Sequence, residues 1–126
     1  MTDRPVRLIL DTSAVLAYAA GNINVGEPVA EVAADGVRFT AAITCLAQAA
    51  QRVDEGWLNM LVRHEAFAAT DLTFGQWRQL AALLGVVAEM GTASALLLAL
   101  EYNCHILTAE PSLYAALGDD PPIIAI

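Results

Sequence analysis

The sequence contains no lysine. All six basic residues among its 126 are arginine, against fourteen acidic residues, which gives a formal net charge of −8. The absence of lysine excludes a Schiff-base lysine and the phosphate-binding lysine of a P-loop. The acidity also argues against a broad basic surface for long nucleic acid, because that affinity depends on neutralising phosphates. A compact site that meets a phosphate through a metal ion is still compatible with this charge.

Cysteine, histidine and long apolar runs are also scarce. Cys45 and Cys104 form no C-x-x-C pair, and His64 and His105 are the only histidines. A structural zinc site needs about four such ligands at suitable spacing, so two reduced thiols are the default. No apolar run approaches the roughly 20 residues that span a bilayer, and residues 1–5 lack the apolar core of a signal peptide. We therefore expect a cytoplasmic protein with no membrane partner.

Short apolar runs alternate with helical patterns along the chain. Strands are predicted over residues 6–10, 37–40, 66–70, 105–108 and 123–126. Helices are predicted over residues 14–20, 27–36, 42–53, 56–64, 73–84, 89–102 and 112–117. Such alternation favours a parallel sheet that is covered by helices on both faces. We expect a single three-layer α/β domain over residues 1–126, with a short central sheet.

Polar residues follow the predicted strands at the edge where open α/β sheets bind ligands. Asp11 comes directly after the first strand, and Glu110 lies just past the fourth. Gln48 and Thr92 lie in helices that are expected to face the same edge. No glycine-rich loop follows the first strand and no G-x-S-x-G motif is present, which disfavours dinucleotide, P-loop and α/β-hydrolase sites.

Four segments, in this order, resemble the PIN domain, the fold of metal-dependent endoribonucleases that includes VapC-type toxins. The segment LILDTS (8–13) resembles the opening strand and helix start, and AITCLAQA (42–49) resembles the helix that carries a glutamate. The segment TASALLLALEY (92–102) is similar to the helix that begins with aspartate-alanine. The segment CHILTAE (104–110) is similar to the strand that ends in threonine-alanine-aspartate. The resemblance covers essentially the whole chain.

The resemblance implies a cluster of about four carboxylates that holds Mg²⁺ or Mn²⁺ and hydrolyses RNA through a metal-activated water. Asp11 would be the central metal ligand, and Glu110 a second ligand, direct or through water. Gln48 and Thr92, which stand at the other two acidic positions, would orient waters. Hydrogen-bonding support for these ligands would come from Thr12, Ser13 and Thr108.

Gln48 and Thr92 remove two negative charges from the typical site, and each lost carboxylate weakens the attraction for a hard divalent cation. The first expectation is therefore a nuclease with weak metal binding and impaired catalysis. The second is an inactive PIN-like module that binds or assembles with protein partners. Glu89, close to Thr92, is a candidate substitute for a missing carboxylate. The resemblance also implies a homodimer, with RNA or an antitoxin-like protein as further partners.

The same residues also have ordinary structural interpretations. Asp11 is suited to cap the following helix, and Thr92 to cap its own. Gln48 is compatible with a helix surface and Glu110 with a solvent-facing turn. Phosphoaspartate receivers and haloacid-dehalogenase-like phosphatases also place aspartate after a first strand, but both families use a lysine. In addition, Ser13 stands where the phosphatase pattern D-x-D has its second acid.

Overall fold

A computed structural model describes residues 4–126. Residues 1–3, which belong to the segment expected to carry no signal peptide, lie outside the described part. Within residues 4–126 the strands are β1 (Val6–Leu10), β2 (Arg38–Thr40), β3 (His105–Thr108) and β4 (Ile123–Ala125). They form one sheet in the order β2-β1-β3-β4, and every neighbouring pair is parallel. The central position of β1 and β3 brings the residues that follow these two strands to one edge of the sheet.

Helices connect the strands. They are α1 (Thr12–Ala19), α2 (Ile23–Ala34), α3 (Ile43–Ala50), α4 (Glu55–Val62), α5 (Trp77–Val87) and α6 (Met90–Tyr102), with 3₁₀ segments at Phe74–Gln76 and Pro111–Leu117. Side chains of Asp11, Asn22 and Asp54 cap α1, α2 and α4 by accepting hydrogen bonds from first-turn amides. Asn103, at φ 52°, ends α6 in the left-handed conformation. No helix of residues 4–126 combines the length and apolarity needed to cross a bilayer.

The sheet is buried on both faces because successive side chains point to opposite sides of a strand. Leu8 and Leu10 pack in one core cluster with buried residues of α1, α2 and α4. Ile9 and Ile106 pack in a second cluster with buried residues of α6. Helix α6 is buried over the whole of residues 91–99, which explains its apolar character on all sides. The predicted three-layer α/β architecture with a parallel sheet is confirmed.

The predicted strand over residues 66–70 is wrong. Its one sheet contact is an isolated parallel bridge between Phe39 and Phe67. The Thr70 amide then donates to the Ala68 carbonyl, so the segment turns away after this bridge. The Thr40 hydroxyl also donates to the Ala68 carbonyl at 2.6 Å. Because the segment forms no further strand pairing, β2 remains at the sheet edge. An apolar run predicts burial here, but it does not predict that the run makes only one bridge.

Three predicted helix boundaries are also wrong. Helix α3 ends at Ala50, three residues before the predicted end at Val53. Helix α2 begins at Ile23, four residues before the predicted start at Glu27, because Asn22 caps it and Pro28 is tolerated inside it. Helix α5 continues through Gly85 to Val87 and ends where Ala88 adopts a positive φ of 60°. Packing against α6 offsets the low helix propensity of a single glycine.

Truncation of Ile9 tests the importance of this double-sided core. Ile9 is fully buried in β1, whereas Ile43 is 67% exposed in α3. We expect Ile9→Ala to lower the free energy of unfolding by about 2–5 kcal/mol, because it removes buried methyl groups and leaves a cavity. Ile43→Ala, the matched control, should change it by less than about 1 kcal/mol. Urea denaturation followed by circular dichroism measures both, and equal effects would contradict this assignment of the core.

Candidate functional site

A cavity of about 380 Å³ contains the predicted site residues. Asp11, Gln48, Thr92 and Glu110 all line it, as do the two predicted supporting residues that follow Asp11. The other described lining residues are Leu16, Gln51, Arg52, Glu89 and Leu113. The cavity lies at the carboxyl ends of β1 and β3, the edge at which open α/β sheets bind ligands. The structure thus brings all four predicted positions together and adds Glu89.

Asp11 forms the floor of the cavity and is 2% exposed. Its Oδ1 accepts hydrogen bonds from the Ser13 hydroxyl at 2.6 Å and the Ala14 amide at 3.0 Å. Its Oδ2 accepts a third from the Tyr114 hydroxyl at 2.9 Å. Asp11 therefore caps α1, as its structural interpretation allows, and lines the cavity at the same time. Three of its roughly four acceptor positions are already used by the protein.

Tyr114 is a site residue that sequence reasoning missed. It is fully buried in the 3₁₀ segment Pro111–Leu117, which holds its hydroxyl against Asp11. Burial raises the pKa of this hydroxyl, and the adjacent Asp11 carboxylate raises it further, so the hydroxyl keeps its proton and donates it. The available signal was a tyrosine just after the strand whose end faces Asp11, because a buried tyrosine hydroxyl needs a partner.

Ser13 and Thr108 connect the ends of β1 and β3. Their hydroxyl oxygens lie 3.2 Å apart. Because Ser13 donates its proton to Asp11, Thr108 must be the donor between the two hydroxyls. Ser13 also accepts from the Ala109 amide at 2.9 Å, and Thr108 accepts from the Glu110 amide at 3.0 Å. These bonds fix the turn that carries Glu110, whose own side chain is exposed at the cavity rim.

A second chain of hydrogen bonds crosses the cavity wall. The Thr12 hydroxyl donates to Gln48 Oε1 at 2.8 Å, and Gln48 Nε2 donates to Glu89 Oε1 at 2.8 Å. A carboxylate only accepts hydrogen bonds, so this contact fixes which end of the amide faces Glu89. The chain ties together α1, α3 and the start of α6. Gln48 is therefore partly buried and engaged on both sides, and does not lie free on a helix surface.

Glu89, not Thr92, caps α6. Its Oε2 accepts from the Thr92 amide at 2.6 Å and the Thr92 hydroxyl at 2.5 Å, and its Oε1 accepts from the Gly91 amide at 3.1 Å. The interpretation of Thr92 as the cap of its own helix is therefore wrong. With the bond from Gln48, Glu89 accepts four hydrogen bonds, the normal capacity of a carboxylate. Burial acts to raise the pKa of Glu89, but these bonds, led by that from the Thr92 side chain, outweigh it and lower the pKa.

Gly91 lets the two halves of this wall approach. A Cβ at this position would overlap Gln48 Oε1 and lie 2.9 Å from Thr12 Oγ1, a separation that real Cβ atoms do not show. The Gly91 carbonyl accepts from the buried Cys45 thiol at 3.3 Å. Burial raises the pKa of Cys45 to about 11, so this thiol stays protonated and unreactive. The site therefore requires glycine here for close packing.

The donor set does not fit a preformed divalent-metal centre. Asp11, Glu89 and Glu110 line the cavity, but the oxygens of Glu89 are saturated and Asp11 has one free acceptor position. Only the exposed Glu110 carboxylate has its full capacity. Among residues 4–126, no three histidine, cysteine, aspartate or glutamate side chains are arranged to hold a metal ion. Hydrogen bonds within the protein occupy the oxygens that a hard cation would need.

No family model matches the chain, and no curated protein matches it. The PIN resemblance therefore still rests on the four segments that carry it. The geometry of the cavity is the remaining evidence on function.

Two glycine substitutions in helices test the close approach at Gly91. Gly91→Ala should destabilise the protein by about 1–3 kcal/mol, because the new methyl group must displace Gln48 or Thr12. Gly85→Ala is the matched control, since a Cβ there meets nothing within 4 Å. It should stabilise α5 by about 0.5–1 kcal/mol. Denaturant unfolding of both variants gives the two values, and a change of the same sign in both would contradict the packing described here.

The pH dependence of stability tests the role of Glu89. A carboxyl with a lowered pKa in the folded state stabilises the fold above its unfolded pKa, near 4.5, and this contribution disappears as pH falls through the folded pKa. Glu89→Gln should therefore be less stable than the wild type at pH 7 by on the order of 1 kcal/mol, the usual contribution of a helix cap. The difference should shrink steadily below about pH 4.5.

Chemical denaturation from pH 7 to pH 3 measures this difference. Glu27→Gln serves as the control because Glu27 is exposed on α2, where loss of the charge should have little effect at any pH. A gap between the wild type and Glu89→Gln that stays constant over this range would contradict a stabilising ionised Glu89.

Proposed function

We propose that this chain is a PIN-like domain with an impaired nuclease centre, which acts through protein partners. One observation carries the proposal: hydrogen bonds within the protein occupy the oxygens of Asp11 and Glu89, the two carboxylates held in the cavity wall. A metal-dependent nuclease directs carboxylate oxygens at the cation that activates water and neutralises phosphate charge. Here the same oxygens cap α1 and α6.

The convergence of four sequence segments supports the PIN-like assignment. Asp11 follows β1, Gln48 lies in α3, Thr92 lies in α6 and Glu110 follows β3, yet all four line one cavity. The resemblance implies this convergence from the order of the four segments along the chain. Only two of the four are acids, so the arrangement of a nuclease site persists without its full charge.

Exposed apolar side chains support association with proteins as the working activity. Phe74 is 92% exposed, and both tryptophans are about half exposed. Other large apolar side chains at the surface of residues 4–126 include Ile23, Ile43, Met60, Val86, Met90 and Leu100. Burying such side chains against a partner would remove their apolar surface from water. A second copy of the chain and an antitoxin-like protein are the proposed partner types.

A weak Mg²⁺- or Mn²⁺-dependent endoribonuclease is the second candidate. The specific observation in its favour is that the exposed Glu110 carboxylate lines the same cavity as Asp11, whose Oδ2 accepts one hydrogen bond from the described residues. Mg²⁺ is often held by one or two carboxylates together with waters and substrate phosphates. In such a complex Asp11 and Glu110 would hold the ion, and Gln48 and Thr92 would lie beside it.

A cleavage assay on structured RNA, with Mn²⁺ or Mg²⁺, separates the two candidates. We expect no metal-dependent cleavage by the wild type beyond that of Glu110→Gln, since no cation is held. Glu110→Gln is a suitable comparison because this exposed side chain has no part in the hydrogen-bonded chains. Wild-type cleavage at least about tenfold faster than that of Glu110→Gln would overturn the proposal and support the weak nuclease.

Restoring the missing acids provides the positive control of the assay. Gln48→Glu combined with Thr92→Asp returns two carboxylates to the cavity and should produce metal-dependent cleavage. The same double substitution combined with Glu110→Gln should reduce that cleavage. These two variants show that the RNA and the metal concentrations used can reveal activity.

A further inference from the structure

The Gln48 amide accepts a hydrogen bond from one side chain and donates one to another. Its Oε1 accepts from the Thr12 hydroxyl and its Nε2 donates to Glu89 Oε1, each at 2.8 Å. Glu89 in turn holds the first amides of α6. Because the Glu89 carboxylate only accepts hydrogen bonds, the end of the side chain at position 48 that faces it must be a donor. Glutamate has the same shape but only acceptors.

The spacing of Gln48 and Glu89 matches a pair of metal ligands. A carboxylate oxygen in the place of Gln48 Nε2 would lie about 2.8 Å from Glu89 Oε1. Two carboxylates this close cannot both stay ionised without a shared proton or a cation. Adjacent oxygen ligands of octahedral Mg²⁺, with bonds of about 2.0–2.1 Å, lie about 2.9 Å apart. The distance between these two side-chain ends is therefore compatible with one edge of such an octahedron.

We propose that Gln48 takes the place of a divalent cation in this cavity. The Gln48 amide joins Thr12 and Glu89 and is neutral, so it adds no second negative charge beside Glu89. The native cavity wall is therefore complete and stable without metal. The identity of this one side chain decides whether the cavity depends on metal, and Gln48→Glu creates a divalent-cation site between residues 48 and 89. The inference concerns the stability of the fold, so it does not depend on whether the chain binds RNA or a protein.

Thermal unfolding in EDTA and in millimolar MnCl₂ at pH 7.5 tests this inference. The wild type should unfold at the same temperature in both. Gln48→Glu should unfold at a lower temperature in EDTA and gain about 5 °C or more with Mn²⁺. Gln51→Glu is the matched control, because Gln51 lines the same cavity but lies outside the hydrogen-bonded chain. It adds the same charge and should show no metal response.

Electron paramagnetic resonance of Mn²⁺ gives a second readout that does not depend on stability. It should detect about one bound ion per chain in Gln48→Glu and none in the wild type or Gln51→Glu. If Gln48→Glu does not fold in EDTA, recovery of its circular dichroism signal on adding Mn²⁺ supports the proposal, and failure to recover overturns it. The proposal is also overturned if Mn²⁺ stabilises the wild type as much as Gln48→Glu, or if Gln51→Glu responds like Gln48→Glu.

Discussion

The burial of the first turn of α6 is the constraint on which this site depends. Helix α6 is the central helix of one layer, and its residues 91–99 are buried. The first amides of a helix have no partner within it, and leaving them unpaired in a buried position is costly. Glu89 supplies the acceptors, Gln48 holds Glu89, and Gly91 allows them to approach. The polar side chains of the cavity wall therefore also provide the acceptors that the buried first amides of α6 need.

At the floor of the cavity, too, a carboxylate both caps a helix and forms part of the site. Asp11 accepts from α1 and from Tyr114, so it joins the sheet edge to the 3₁₀ segment that closes the site. Ser13 and Thr108 extend this contact between the ends of β1 and β3. Buried polar groups that are all satisfied hold one arrangement, since each change would leave another group unpaired. The cavity is thus rigid because its polar groups bind each other.

The sequence predicts the layers of this fold well because they follow from periodicity. Short apolar runs mark the strands, and the first strand, the capped turn at Asp11 and the stop at Asn103 all lie where predicted. The strand predicted over 66–70 fails because an apolar run does not reveal how many bridges it makes. The predicted start of α2 at Glu27 is wrong for another reason. Proline is typical of the first turn of a helix, but Pro28 lies deeper in α2.

The four residues singled out in the sequence line one cavity, but the hydrogen bonds that connect the cavity residues were not predicted. Asp11 and Glu110 each follow a predicted strand, and Gln48 and Thr92 lie in helices that are expected to face the same edge, so the topology favours their proximity in one cavity. Nothing in the sequence separation shows that Gln48 would contact Glu89, forty-one residues away, or that Tyr114 would contact Asp11. Such contacts depend on side-chain directions set by tertiary packing.

These contacts, which the sequence does not predict, determine which carboxylate oxygens of the site are available to a cation. Counting acids along the chain suggests a metal centre weakened by two substitutions. Counting acceptor positions in the structure instead shows carboxylates that already serve the protein. A carboxylate is available to a cation only if its lone pairs are free, and binding otherwise must break bonds that stabilise the fold. Gln48 therefore does more than leave the cavity with less negative charge, because its amide binds Glu89, whereas a carboxylate at this position would repel it.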